Sequence, residues 1–338
     1  MTEATRIGVD TSKHVFTLHG VDAQGRVVLR RDLRRAAFLA FFAKRAPVQV
    51  AMEACGGSHH WGRELQALGH EVVLIPAQYV KPFVRRGKND AADAEAICTA
   101  AGQPGMARVP VRPADAQAAA VLLSVRELLV RQRTQLANAF RGHAAEFGLV
   151  AAKGDAGLRE VAAAAAEPGA LPAPAAEALA MLGAEVARVE QALAVADAKL
   201  QAQHKASPMS RLLLGIPGVG WLTALTLSLR VEPGQFRSGR HLAAWLGLTP
   251  RDHSTGGKQR LGGISRAGNE RLRSLLVLGA TAVVQHARPG KSSPWLLSLL
   301  ERRPRKLVAV ALANKIARVA WAMMANGEAY RAHKPTAA

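Results

Sequence analysis

Asp90 and Asp93 stand three residues apart in the stretch RRGKNDAADAEAI (Arg85 to Ile97), directly after Arg85, Arg86 and Lys88, in a chain whose formal net charge is +20. Helical spacing puts both aspartates on one face and turns Glu95 away from them. Two carboxylates on one face repel unless one takes up a proton or a cation lies between them. Asp10 closes an apolar run, IGVD, and Glu53 closes another, VAME. A lone acid in such a place is ordinarily a turn or cap residue. Four brought together form an all-oxygen donor set, which suits Mg2+ or Mn2+ and the phosphoryl transfer those ions organise. Glu95 reads as a solvated or salt-bridged neighbour of that set.

Two further stretches carry chemistry. GIPGVG, Gly215 to Gly220, resembles the turn of a helix-hairpin-helix. Glycines there, Gly215, Gly218 and Gly220, would let backbone N–H groups face a phosphate at a helix start, a grip blind to base sequence. The plainer alternative is a packing elbow between two helices. Farther on, GLTPRDHSTGGKQRLGGISRAGNERLR (Gly247 to Arg273) offers hydroxyls, glycines and cations in one loop, with Pro250 stopping the helix before it. Ser254 or Thr255, flanked by His253 and Gly256, could attack a phosphodiester. Lys258, Arg260 and Arg266 would then offset charge on the transferring phosphate.

The elements that must position these groups follow from the hydrophobic pattern. RIGVDTS, HVFTLHGVD and RVVLRRDL read as three strands, the last two joined by a turn at DAQG. A helix (AAFLAFFAKRA), a strand (VQVAMEA), a helix ending near Gly69, a strand (EVVLIPA) and the acidic helix complete the order β-β-β-α-β-α-β-α. That order implies a mixed sheet opening with a meander, in which strands one and four are neighbours, as in a ribonuclease H-like sheet. Residues 113–205 instead carry seven-residue spacing: Leu122, Leu129 and Leu136, then Leu182, Val186, Val189, Leu193, Ala196 and Leu200. These seams predict two helices, broken by AEPGALPAPAAE, forming an antiparallel hairpin or a dimer contact. From about 208 the chain is basic and glycine-punctuated, with ISRAGNERLRSLLVLGATAVV and RKLVAVALANKIARVAWAMMA as its strongest helices. The fold class expected is therefore α/β plus α, divided into residues 1–112, a helical linker over 113–205, a mainly helical domain over 206–326 and a tail over 327–338.

Composition narrows the partners. Lys and Arg outnumber Asp and Glu by 45 to 25, an excess that predicts a polyanion, most simply nucleic acid. No 18-residue apolar run and no signal-type N-terminus point to a membrane. Cys55 and Cys98 have neither disulfide-framework nor zinc spacing, which fits a reducing cytoplasm. Aromatic residues are only 4% of the chain and alanine runs are frequent, so packing should be close and mostly helical.

Taken together, these stretches resemble the DEDD transposases of bacterial insertion sequences, over Ile7 to about Met324. The resemblance implies an N-terminal RuvC-like domain whose acidic tetrad is matched by Asp10, Glu53, Asp90 and Asp93, a coiled-coil segment, and a C-terminal domain opening with a motif like GIPGVG. It implies an essential serine in HSTGGKQRLGGISRAGN, placed at Ser254 by the closer subgroup; many relatives carry serine immediately before the glycine, where this chain has Thr255. It further implies a covalent phosphoserine bond to DNA assisted by Mg2+, donor and target DNA as partners, guidance by a noncoding RNA, and a dimer or tetramer with composite sites. Two other readings keep the same acids: a metal-dependent junction-resolving nuclease that uses water, and a nucleic-acid-binding protein with no catalysis.

Overall fold

The computed structural model describes residues 3–85, 89–258 and 260–331. The chain divides into two compact units, Met1–Gln117 and Ala118–Ala338.

In the first unit, β1 (Arg6–Thr11), β2 (Val15–Val21) and β3 (Val27–Arg34) form the meander. Its second turn closes as Asp22 accepts N–H bonds from Gln24 at 3.0 Å and Arg26 at 2.9 Å, with Gly25 at φ +79°. After α1 (Phe38–Phe42) come β4 (Gln49–Glu53), α2 (Ser58–Ala67), β5 (Glu71–Ile75), the short α3 (Ala77–Val80) and α4 (Asp90–Ala101). The sheet order is β3-β2-β1-β4-β5, antiparallel across the meander and parallel from β1 through β4 to β5.

Both faces of this sheet are covered, which is why its central strands are apolar almost throughout. On one face Ile7, Val9, Phe16, Leu18, Val50 and Met52 pack with Phe38, Phe42, Trp61 and Leu65 from α1 and α2. On the other, Ala51, Val73 and Ile75 meet Ala96, Ile97, Ala100 and Ala101 of α4. Alternation along β1 places Gly8 and Asp10 on that second face. A Cβ on Gly8 would lie 2.3 Å from the Ala94 carbonyl oxygen and 2.5 Å from the Cys98 nitrogen. Only glycine allows α4 so near, and the closeness brings the start of that helix over the end of β1.

The second unit opens with two long helices, α5 (Ala114–Ala145, its first turn in the first unit) and α7 (Ala173–Ala206), with α6 (Asp155–Ala166) between them. Arg126 pairs with Asp197, Arg133 with Glu190 at 2.7 Å, and the Phe140 ring reaches within 3.7 Å of a Cβ placed on Gly183. Each step of seven along α5 is answered by seven backwards along α7, so the two run antiparallel within one chain. The expected break falls where the chain turns back into α7, but a further helix precedes it. AEPGALPAPAAE supplies the connection and the first turn of α7, and just ahead of it lies α6, whose Leu158 and Val161 join Phe140, Leu179 and Val186 in a shared core, with Arg133 also bonded to Asp155 at 2.7 Å. The alanine-rich sequence hid a third helix.

Then follow α8 (Pro208–Leu213), α9 (Trp221–Arg230), α10 (Gly239–Trp245), the hairpin β6 (Pro250–Asp252) and β7 (Leu261–Ile264), α11 (Glu270–Gln285), α12 (Pro294–Arg302) and α13 (Arg305–Asn326). Their core gathers Leu213, Leu227, Leu242, Leu246, Leu272, Leu276, Ala313, Ala317 and Ala320. By length and hydropathy α13 could cross a membrane, but Val308, Ala309, Ala313, Ile316, Ala317 and Ala320 are buried in this unit, as in the core helix of a globular domain. Two expectations need correction. Pro250 does not stop a helix: α10 has already ended before Gly247 at φ +69°, and Pro250 opens a strand. ISRAGN is not helical either. Arg266 at φ +56° and Gly268 at φ +66° break the backbone, and α11 begins only after Asn269, whose side chain accepts the Leu272 N–H at 2.8 Å.

Candidate functional site

Asp10, Asp90 and Asp93 present carboxylate oxygens that all lie within 4.8 Å of one another. Three causes converge on this. The strand end fixes Asp10 on the α4 face; Gly8 admits the helix; and Asn89 caps α4, its side chain accepting the Ala92 N–H at 2.7 Å. Asp90 and Asp93 therefore occupy the first turn, where the helix dipole favours negative charge. Glu53, at the end of the adjoining parallel strand, stands outside this group of three yet acts on Asp10 through its charge. Glu95 points away and pairs with Arg85 at 3.1 Å. Arg86 and Lys88 lie outside the described residues.

Burial, then the charges of Asp93, Asp90 and Glu53, push the Asp10 carboxyl up from 3.8 to about 6. Among the described residues no Lys, Arg or His forms an ion pair with Asp10, Asp90 or Asp93. Crowded carboxylates, hard oxygen donors and no ion-paired Lys, Arg or His among the described residues fit a divalent cation of the Mg2+ or Mn2+ type. Across the sheet the row continues from Asp10 to Thr17 to Asp32, with the Thr17 hydroxyl donating to Asp32 at 2.8 Å.

The second cluster sits at the tip of the β6–β7 hairpin. The Ser254 hydroxyl donates to Oδ1 of Asp252, the Ser254 N–H donates to the same oxygen at 2.9 Å, and the Ser254 Oγ accepts the Arg260 N–H at 3.0 Å. Hydrogen bonds from Ser254, followed by the nearby His253, hold the Asp252 carboxyl below the usual carboxylate range. Thr255, by contrast, makes a backbone bridge to Lys258, and its hydroxyl has no hydrogen-bond partner among the described residues. Lys258, Arg260 and Arg266 are on this hairpin or just after it, Lys258 and Arg260 exposed. Buried Arg273 anchors the base of the loop, donating to the carbonyls of Leu246 at 3.0 Å and Ala267 at 2.7 Å. Asp252 was passed over in the sequence, although its place two residues before a serine is an Asx-turn signal.

The GIPGVG turn lies between α8 and α9. Gly218 is at φ +85°, and a Cβ there would meet the Gly279 carbonyl oxygen of α11 at 2.9 Å. That glycine is required by packing. Gly215 and Gly220 are exposed, and Gly220 precedes the first turn of α9 with no side-chain cap.

Comparison with known proteins places the chain in a defined class. Residues 7–147 match the model of a DEDD-type IS110 transposase domain, described as "Transposase", and residues 210–294 match "Transposase IS116/IS110/IS902 family". The chain is 52% identical over 330 residues to the putative transposase y4pF/y4sB of Sinorhizobium fredii, covering 96% of this chain and 85% of that one. It is 47% identical to a probable family 20 transposase of Pseudomonas aeruginosa (97% and 98% covered), and 39% identical to the transposase for insertion sequence element IS1111A of Coxiella burnetii (98% and 92% covered). The chain belongs to the IS110/IS116/IS902 family of transposases, enzymes that act on DNA.

Proposed function

We propose that this transposase cuts and rejoins DNA through a covalent bond between Ser254 and a DNA phosphate, assisted by a divalent cation at the acidic tetrad. The observation that carries the reading is the meeting of Asp10, Asp90 and Asp93, with no protein cation among the described residues to relieve them. The β3-β2-β1-β4-β5 order, with acids at the ends of β1 and β4, supports a ribonuclease H-like, RuvC-like assignment of the first unit. Asp10, Asp90 and Asp93, with Glu53 beside them, would hold Mg2+ or Mn2+, which when bound orients a phosphate and stabilises charge on a leaving oxygen. Ser254 supplies the nucleophile, and its engaged hydroxyl favours it over Thr255. Lys258, Arg260 and Arg266, exposed on the hairpin or just after it, would offset phosphate charge, and the exposed Gly215 and Gly220 would let a DNA backbone approach the GIPGVG turn, with Gly218 shaping it.

The same proposal divides the chain into a metal-binding domain (1–112), a helical linker (113–205), a transposase domain (206–326) and a tail (327–338). It takes donor and target DNA, a noncoding guide RNA and further copies of the chain, as a dimer or tetramer, for partners in the cytoplasm. The net charge of +20 supports binding to more than one nucleic-acid strand.

The test mixes purified protein with the element's flanking noncoding RNA, labelled donor and target DNA, and Mg2+, and resolves the products on a denaturing protein gel. A covalent protein–DNA band is expected for wild type and Thr255→Ala, and none for Ser254→Ala or Asp10→Ala. Loss confined to Thr255→Ala would move the nucleophile by one residue. Free cut ends without any covalent band would favour the second reading, a RuvC-like nuclease using water, since the acid cluster alone suffices for that chemistry. Tight DNA binding with no cutting in any lane would leave only a binding protein.

A further inference from the structure

The serine hydroxyl at the hairpin tip donates a hydrogen bond to a carboxylate. Its hydrogen points at Oδ1 of Asp252, and one of its two lone pairs is taken by the Arg260 N–H at 3.0 Å, which leaves the other for bond formation. Asp252 is exposed and ionised in the neutral range, so it can accept a proton and pass it to water. We propose that Asp252 is the general base that activates Ser254, a catalytic role that rests on the serine reading above. As the Ser254 Oγ–P bond forms and the bond from phosphorus to the leaving sugar oxygen breaks, the hydroxyl proton passes to Oδ1 of Asp252. The leaving oxygen keeps the electron pair of the broken bond and takes a proton from water. One phosphodiester is exchanged for another, and rejoining runs the same path backwards, the sugar hydroxyl giving its proton to water and Oγ taking one from water through Asp252. The hairpin also carries Arg251, His253, Lys258 and Arg260, of which His253 acts on the Asp252 carboxylate through its charge.

The bland account of Asp252 is that it only shapes the turn, by accepting the Ser254 N–H at 2.9 Å. Asparagine separates the two roles, because its Oδ1 accepts that N–H equally well but takes no proton. Asp252→Asn, Asp252→Ala, Asp252→Glu and Ser254→Ala are compared with wild type for DNA affinity and for the single-turnover rate of covalent adduct formation between pH 7 and 9. For Asp252→Asn we expect unchanged affinity, a rate lowered about 10²–10³-fold, and a rate that climbs about tenfold per pH unit as hydroxide takes over as base. Wild type is expected to stay flat over that range, and Asp252→Glu to recover part of the loss. An Asp252→Asn rate equal to wild type, with Asp252→Ala alone defective, assigns Asp252 to the turn and overturns the proposal. An adduct that persists in Ser254→Ala overturns the serine reading and this inference together.

Discussion

Asp10 sits half-buried among like charges, and that single placement sets a testable pH dependence. With its carboxyl raised to about 6 in the folded chain, Asp10 is protonated in folded and unfolded states alike only below about pH 3, where it adds no penalty. As the pH rises through 6 the folded form must carry the charge, and stability falls. The shift from 3.8 to about 6 corresponds to roughly 3 kcal/mol, which partial exposure to solvent reduces to about 1–2 kcal/mol. Asp10→Asn should therefore raise the thermal midpoint of metal-free protein at pH 7.5 and change it far less at pH 4. Adding Mg2+ should reverse the order at pH 7.5, because only wild type gains from the bound ion. A midpoint for Asp10→Asn below that of metal-free wild type at pH 7.5 would show that the acids are not in conflict. Arg266 is the one non-glycine residue at positive φ among those described, and it lies just past the hairpin, where an arginine in that conformation is costly to hold.

At the scale of elements, the site depends on how near α4 lies to β1. Gly8→Ala adds one methyl group, facing the Ala94 carbonyl oxygen at 2.3 Å, and removes no acid. The helix must move out, at a cost of about 2–3 kcal/mol in overpacking. Divalent-cation affinity, followed by calorimetry or by the Mg2+-dependent rise in thermal midpoint, should fall at least tenfold. Unchanged affinity in a folded Gly8→Ala protein would mean the acids gather without the help of this packing. In the second unit the antiparallel pairing of α5 with α7 is written in matched charges, Arg126 with Asp197 and Arg133 with Glu190. The hydrophobic spacing alone could not choose between such a hairpin and a contact between two chains.

For the whole molecule, the governing quantity is charge. A net charge of +20 predicts that phosphate contacts are the main source of DNA affinity. If about six to ten phosphates are neutralised, affinity should fall roughly 10³–10⁵-fold between about 50 and 200 mM salt, measured by fluorescence anisotropy on labelled duplex. Asp10→Asn should leave that slope unchanged while removing cleavage, which separates binding from chemistry. An affinity insensitive to salt would place recognition elsewhere than on the backbone.

Much of this was legible in the residues themselves, because it depends on short-range pattern. The meander, the alternation of strand and helix, the Asp22–Gly25 turn and the acids at strand ends follow from periods of 2 and 3.6 and from turn chemistry. The acids at Asp10, Glu53, Asp90 and Asp93, GIPGVG and the HSTGGK loop together revealed the family. Local pattern failed where a long-range contact decided the conformation. The α6 helix forms because Leu158 and Val161 find a core between α5 and α7, and the serine lies on a hairpin because Pro250 and Asp252 pair with β7, which loop-like composition does not announce. Gly218 reads as a phosphate grip in sequence, yet its lack of a side chain is demanded by α11. The pairing of Asp252 with Ser254 and the closing of Asp10 on Asp90 and Asp93 are matters of ångströms, fixed by a hairpin tip and by a helix lying against a glycine. The residue types thus determined which chemistry was available, while tertiary packing decided which groups touch, since distance between side chains is set by the backbone that carries them.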